Sequence, residues 1–104
     1  MILTTLEGVP GRQVVEHYGL VQGNTVRAKN VGKDFLAGFK NLVGGELKAY
    51  TELLQESRKE ATDRMVAQAQ QVGANAVVNV RFATSSIAAG AAELYVYGTA
   101  VRVQ

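Results

Sequence analysis

The chain has 104 residues, and its 11 basic and 9 acidic side chains leave a net charge of +2. It contains no cysteine, which excludes disulfides, thiolate metal ligands and cysteine nucleophiles, and it has no apolar run near the roughly 20 residues that a membrane span needs. We therefore expect one cytoplasmic domain over residues 1–104 with no membrane partner and, because the basic residues are scattered, no nucleic-acid partner.

The N-terminal quarter predicts two extended pieces. Residues 1–5 are β-prone and run into a turn at residues 8–11, which hold the only proline. Residues 13–21 predict a long strand that is broken or bulged at Gly19. The pair Gly23-Asn24 predicts a turn before extended structure resumes.

In the next segment the spacing of the apolar residues changes from that of a strand to that of a helix. Phe35, Phe39 and Leu42 recur at spacings of four and three, which predicts a short helix over residues 34–42. Gly44-Gly45 then ends it.

The main predicted element is an amphipathic helix over residues 46–72. Its apolar positions fall on one stripe at 100° per residue. They are Leu47, Tyr50, Leu54, Ala61, Met65, Ala69 and Val72. Gly73 is the expected left-handed C-terminal cap. Such a helix is about 40 Å long, whereas a globule of this size has a radius of gyration of about 13 Å, so we expect the helix to overhang its own sheet.

The C-terminal third predicts a hairpin. Residues 76–83 alternate as a strand, and the small residues 85–92 predict a loose loop. The last strand, residues 93–103, is largely apolar on both sides, so it is expected to be sandwiched or to lie at a subunit interface.

Several stretches, taken in order, resemble the YbjQ-like family of bacterial and archaeal proteins. They are Val43-Gly44-Gly45-Glu46, Tyr50, Arg58, Met65, Gly73-Ala74-Asn75-Ala76-Val77 and Gly98-Thr99-Ala100-Val101, with Thr4-Thr5, Glu16, Gly19 and Gly23 nearer the start. The resemblance covers essentially the whole chain.

The resemblance implies an α+β fold in which one long helix packs on an antiparallel sheet. It also implies a ring-forming subunit of the dodecin-like and YbjQ-like kind, assembled with itself as a homopentamer. The family is uncharacterised and carries a heavy-metal-binding label, so a metal ion is the implied cofactor. Soft ions prefer thiolate or imidazole ligands, and this chain offers only His17. A site would need His17 repeated around a ring axis, and a surface or interface histidine is the simpler interpretation.

Arg58 is the most informative charged residue. It falls within the predicted apolar stripe, where an unpaired guanidinium is costly. An ion pair within or between subunits, to Glu16, Glu46 or Glu93, is one interpretation, and an anion clamp is the other. Our hypothesis is that Arg58 holds the assembled state.

Three further residues are candidates for ligand or interface contacts. Glu46 begins the helix after Gly44-Gly45, a pair that lacks the lysine of a phosphate-binding loop. Tyr50 is expected to be a core aromatic whose hydroxyl finds a partner. Asn75 is expected to bridge the start of a strand, although its amide suits a ligand too.

The sequence offers no nucleophile elbow and no histidine-based triad, so no catalytic residue is predicted. It leaves two hypotheses open. One is a homo-oligomeric module that binds a metal or a small anion at a symmetric or inter-subunit site. The other is an enzyme whose site neighbouring subunits assemble from Arg58, Tyr50, Glu46 and Asn75.

Overall fold

The computed structural model describes residues 1–28, 42–43, 46–88 and 91–104. The strands are β1 (Ile2–Leu3), β2 (Val14–Ala28), β3 (Leu42–Val43), β4 (Glu46–Leu47), β5 (Ala76–Ala88) and β6 (Ala91–Val103), and the helix α1 spans Lys48–Gln71. The predicted short helix over residues 34–42 and the Gly44-Gly45 pair fall outside the described residues, apart from Leu42 in β3.

Four strands form the main sheet, in the order β1-β5-β6-β2, while β3 and β4 form a separate two-stranded ribbon. The neighbours β5, β6 and β2 pair antiparallel, whereas β1 pairs parallel to β5. The predicted fold class, α+β with one long helix on a sheet, is confirmed, but the short β1 makes the sheet mixed rather than antiparallel.

Strand β2 contains the predicted irregularity at Gly19, where its register against β6 shifts and φ is +96°. The predicted turn at Gly23-Asn24 is wrong, because pairing with β6 continues through both residues. The helix instead passes directly over Gly23. A Cβ atom there would collide with the Ala61 carbonyl oxygen and lie 2.7 Å from the Met65 nitrogen. This glycine therefore permits contact between two backbones rather than a change of direction.

The hairpin of β5 and β6 is longer than predicted. Residues assigned to a loose loop are paired, with Ser85 opposite Glu93, Ser86 opposite Ala92 and Ala88 opposite Ala91. Small side chains carry little periodic signal, yet their backbone groups extend the ladder established by the apolar pairs further down. The sheet therefore continues almost to the tip of this hairpin.

Helix α1 begins two residues later than predicted, because Glu46 and Leu47 pair with β3. It ends as predicted at Gly73, whose φ is +88°. The Ala74 N–H donates to the Ala69 carbonyl and the Gly73 N–H to the Gln70 carbonyl. This pair of bonds is the Schellman motif, which satisfies carbonyls that the last helical turn leaves open.

The buried residues of α1 follow a spacing of four: Ser57, Ala61, Met65 and Ala69. Two positions of the predicted stripe are exposed instead, Leu54 at 47% and Val72 at 45%. A row spaced by four drifts around a helix of 3.6 residues per turn, so α1 crosses the sheet obliquely.

Helix α1 is shorter than strands β5 and β6, and its overhang beyond the sheet stays a prediction. Its 24 residues span about 36 Å, whereas 13 residues of strand span about 43 Å. The molecule is 51 Å along its longest axis. A long helix thus accompanies long strands in an elongated subunit.

The sheet has a core on each face. On the helix side, Val21, Val77, Val80, Val96 and Ala100 join the buried residues of α1. On the opposite face, Ala76, Val78, Val101 and Val103 pack with Ile2, Val9 and Val14. The C-terminal part of β6 is thus sandwiched between α1 and the N-terminal segment, as one of the two predicted alternatives requires.

Candidate functional site

Arg58 lies on the exposed surface of α1 rather than within a buried stripe, which corrects the sequence prediction. The oblique path of the helix places it beside the buried row instead of in it. Its carbonyl accepts a hydrogen bond from Thr62 Oγ1, but its guanidinium forms no ion pair or hydrogen bond with the described part of the chain. Within one subunit, Arg58 is a cation on the surface.

The Asn75 side chain bridges the start of β5 and the end of β6. Its Nδ2 donates to the Val103 carbonyl at 2.9 Å, and its Oδ1 accepts from the Val103 N–H at 2.8 Å. Both ends of the amide are therefore engaged within the fold. The remaining two candidates, Glu46 and Tyr50, lie in β4 and in the first turn of α1, and their roles stay predictions.

His17 lies exposed on β2, opposite Val101. No group of three or more histidine, cysteine, aspartate or glutamate side chains that could hold a metal occurs among the described residues. A metal bound by His17 alone would lack the several fixed ligands that stable sites have.

The structure brings a different set of polar residues together at the outer edge of β2. They line a pocket of about 470 Å³, which we call the edge pocket. Its residues are Gln22, Gly23 and Asn24 of β2, Arg64 and Gln68 of α1, and Glu93 and Tyr95 of β6.

One wall of the edge pocket comes from the helix, which reaches around the edge strand. Gln68 Oε1 accepts from the Gln22 backbone N–H at 2.7 Å, and Arg64 Nη1 donates to the Asn24 carbonyl at 2.6 Å. These side chains satisfy backbone groups that an edge strand leaves unpaired. Arg64 Nη2 also bonds Glu60 Oε1 at 2.6 Å, which fixes the guanidinium in place.

The other wall comes from β6, on the face of the sheet opposite the helix. Asn24 Nδ2 donates to Glu93 Oε2 at 3.0 Å, and the Tyr95 hydroxyl donates to Gln22 Oε1. The Tyr95 ring stacks on that of Tyr97, with ring centroids 5.2 Å apart. The pocket therefore joins a cationic donor, a carboxylate and an aromatic surface.

The edge pocket is not predicted from the sequence. Its residues come from three elements, and the sequence predicts a turn at Gly23-Asn24, which both line the pocket. A strand interpretation of residues 22–24 would have placed Gln22 and Asn24 on one face. The crossing of α1 over Gly23 then adds Arg64 and Gln68, which single-sequence periodicity does not show.

The family model described as "putative heavy-metal-binding", that of the YbjQ family, matches residues 1–104 of the chain. The chain belongs to this family. Its relatives include the UPF0145 protein of Hahella chejuensis, 63% identical over 97% of each chain, and that of Archaeoglobus fulgidus, 62% identical over 100% of this chain and 96% of the relative. The resemblance stated from the sequence is thereby confirmed.

A solved structure with the same fold is that of a protein of unknown function of the DUF74 family from Pediococcus pentosaceus. It matches with a TM-score of 0.70 and 13% identity, over 100% of this chain and 98% of that one. The match supports the α+β fold. No helix in the described ranges is long and apolar enough to cross a membrane.

The heavy-metal description of the family does not fit the donor set of this chain. Soft ions select thiolate, thioether and imidazole ligands. The sequence has no cysteine, one histidine and two methionines. Of the methionines, Met65 of α1 is buried in the core between the helix and the sheet. The residues therefore do not match a soft-metal site within one subunit.

Proposed function

We propose that this protein is a cytoplasmic, non-enzymatic binding module, a single domain over residues 1–104 that assembles with itself. Five subunits is the number that the family resemblance implies. The main structural support for this assembly is the outer edge of β5, the edge that faces away from β6. The N-terminal segment pairs along this edge as far as Val80, where the Val80 N–H donates to the Thr4 carbonyl. From Phe82 to Ala88, no strand in the described part of the chain covers it.

An uncovered strand edge is a template for another chain, since its N–H and C=O groups are unpaired. Apolar side chains accompany this edge, with Phe82 50% and Ile87 54% exposed. Edge pairing together with apolar burial is a common basis for association between chains. The Arg58 guanidinium, which pairs with none of the described residues, supports the same proposal, because a carboxylate of a neighbouring subunit would form an ion pair with it.

The edge also defines a sharp test. Backbone groups alternate along a strand, so the outward Val80 N–H places the N–H groups of Phe82 and Thr84 outward as well. The variant Thr84→Pro removes one outward donor and keeps the pairing of β5 with β6, because proline is tolerated where the N–H faces away from the ladder. We expect native mass spectrometry to show pentamers for the wild-type protein and smaller species for Thr84→Pro.

Thr84→Val is the matched control, because it changes the side chain and keeps the N–H. It is expected to assemble like the wild-type protein. A wild-type protein that is monomeric at micromolar concentration would overturn the proposed assembly, and a Thr84→Pro variant that remains pentameric would exclude this edge as the contact.

A further inference from the structure

The edge pocket carries opposite charges on its two walls. Arg64 extends from α1 and Glu93 from β6, and Asn24 lies between them. The Asn24 carbonyl accepts from Arg64, while its side-chain amide donates to Glu93. Because Asn24 holds both groups, the guanidinium and the carboxylate are kept apart, and no ion pair joins them.

Each wall retains hydrogen-bonding capacity. Arg64 uses one donor on Asn24 and one on Glu60, out of the five that a guanidinium offers. The amide of Gln68 accepts from Gln22 through its oxygen, and its NH₂ group bonds to none of the described residues. The helix wall therefore presents donors.

The β6 wall presents an acceptor and an aromatic ring. Glu93 Oε2 accepts from Asn24, whereas Oε1 accepts no hydrogen bond from the residues that the structure describes. Tyr95 is on the same face of β6 two residues along, and its ring is held by Tyr97 and Gln22. A carboxylate beside an aromatic face favours a cation.

Other ligand classes fit the edge pocket less well. A phosphate would meet a single arginine, already bonded to Glu60, and a carboxylate facing it. A hard metal ion would meet one carboxylate, where such ions take six or more oxygen ligands. A molecule with one anionic and one cationic end would satisfy both walls at once.

We infer that the edge pocket binds a small zwitterion, a molecule of amino-acid size with a carboxylate for Arg64 and Gln68 and an ammonium group for Glu93 and Tyr95. The volume of about 470 Å³ is within the range of small-molecule sites. The inference rests on the proposed function as a binding module, and it names the ligand class of a site within one subunit.

Calorimetric titration of the full chain with matched probes tests the inference. The probes are 4-aminobutanoate, which has both charges, and butanoate and butylammonium, which have one charge each on the same carbon chain. Glycine and 6-aminohexanoate vary the separation of the two charges. We expect an amino acid of this series to bind at least about tenfold more tightly than either singly charged analogue, a difference of about 1.4 kcal/mol.

Two variants assign the binding to the edge pocket. Arg64→Met removes the cation, and Glu93→Gln removes the negative charge while keeping an acceptor for Asn24. Each is expected to weaken zwitterion binding about tenfold, as charged contacts in a pocket do. Lys59→Met and Asp63→Asn are the controls, because Lys59 and Asp63 form an exposed ion pair at 2.9 Å on the same helix and do not line the pocket.

The results separate the two proposals. Binding of butanoate or butylammonium as tight as that of every amino acid in the series, absence of saturable heat with every probe, or unchanged affinity in both pocket variants would each overturn the zwitterion site. Native mass spectra of the same samples report assembly independently. A pentamer that binds none of the probes contradicts only the site, and a monomer that binds 4-aminobutanoate contradicts only the assembly.

Discussion

At the scale of single residues, Gly23 shows how one missing side chain sets the distance between layers. The α1 backbone crosses β2 at this point, and the atoms that a Cβ would meet belong to the helix backbone. Backbone cannot move aside as the end of a flexible side chain can. The edge pocket depends on the same contact, because it lets Arg64 and Gln68 reach around the strand.

The variant Gly23→Ala is therefore expected to lower the free energy of unfolding by about 1–3 kcal/mol or more, the cost of overpacking a core. Urea denaturation at fixed protein concentration measures this. Gly8→Ala is the matched control, because nothing lies within 4 Å of a Cβ at Gly8. Equal midpoints for the two variants would show that the helix lifts from the sheet at little cost.

Other residues with unusual backbone geometry differ in how well the sequence indicates them. Gly19 and Gly73 have positive φ. The sequence indicates both, because the alternation of the strand fails around Gly19 and Gly73 follows the last periodic position of the helix. Asn79 also has positive φ, at 54°, within a bulge of β5 opposite Gly98. Nothing in the alternation of residues 76–83 distinguishes Asn79 from an ordinary outward-facing residue. Its N–H instead bonds the Leu6 carbonyl, a contact that depends on the tertiary fold.

At the scale of elements, the start of β5 and the end of β6 are joined by one side chain. The two hydrogen bonds of Asn75 to Val103 imitate a pair of strand ladder bonds. Val103 is buried, so losing both bonds leaves its backbone groups without that partner in a dry environment.

We expect Asn75→Ala to destabilise the fold by about 1–3 kcal/mol, the usual cost of leaving buried polar groups unpaired. Thermal unfolding followed by circular dichroism measures the change. Asn75→Asp retains the acceptor for the Val103 N–H and loses the donor, so an intermediate effect is expected. A melting temperature unchanged in Asn75→Ala would show that water replaces the amide.

The helix illustrates what periodicity predicts and what it leaves out. Its existence, its extent to within two residues and its glycine cap follow from local sequence. The residues that it buries do not, because burial depends on the angle at which the helix crosses the strands. Leu54 and Arg58 were therefore assigned to a buried stripe and are exposed.

At the scale of the whole molecule, the exposed Arg58 bears on assembly rather than on the subunit fold. Arg58→Ala removes no hydrogen bond that its guanidinium makes to the described residues, so the subunit should fold as before. If a carboxylate of a neighbouring subunit forms an ion pair with Arg58, the variant should dissociate at a concentration about tenfold or more above that of the wild-type protein. Truncation of interface arginines commonly has an effect of this size.

Dilution series followed by native mass spectrometry or sedimentation provide the measurement. Lys59→Ala is the control, because the neighbouring Lys59 is bonded to Asp63, whose hydrogen bond and charge raise the pKa of Lys59. If Arg58→Ala and Lys59→Ala dissociated at the same concentration, Arg58 would have no part in the contact between subunits.

The candidate site was less predictable than the fold. Apolar alternation and helical period depend on neighbours in sequence, which is why α+β architecture could be predicted. The edge pocket joins residues 22–24, 64–68 and 93–95, and no local pattern connects them. Of the residues singled out in advance, Asn75 serves the fold and Arg58 lies on the surface.

The two long edges of the sheet differ in a way that constrains symmetry. On the β2 edge, side chains of α1 form hydrogen bonds with backbone groups. On the β5 edge beyond Val80, no strand among the described residues pairs with the backbone. Two β5 edges that met across a two-fold axis would satisfy each other and stop at a dimer. An odd-numbered ring requires a heterologous contact, in which each β5 edge meets a different surface of the next subunit. An odd number of subunits would therefore exclude the two-fold pairing of β5 edges as the contact that builds the ring.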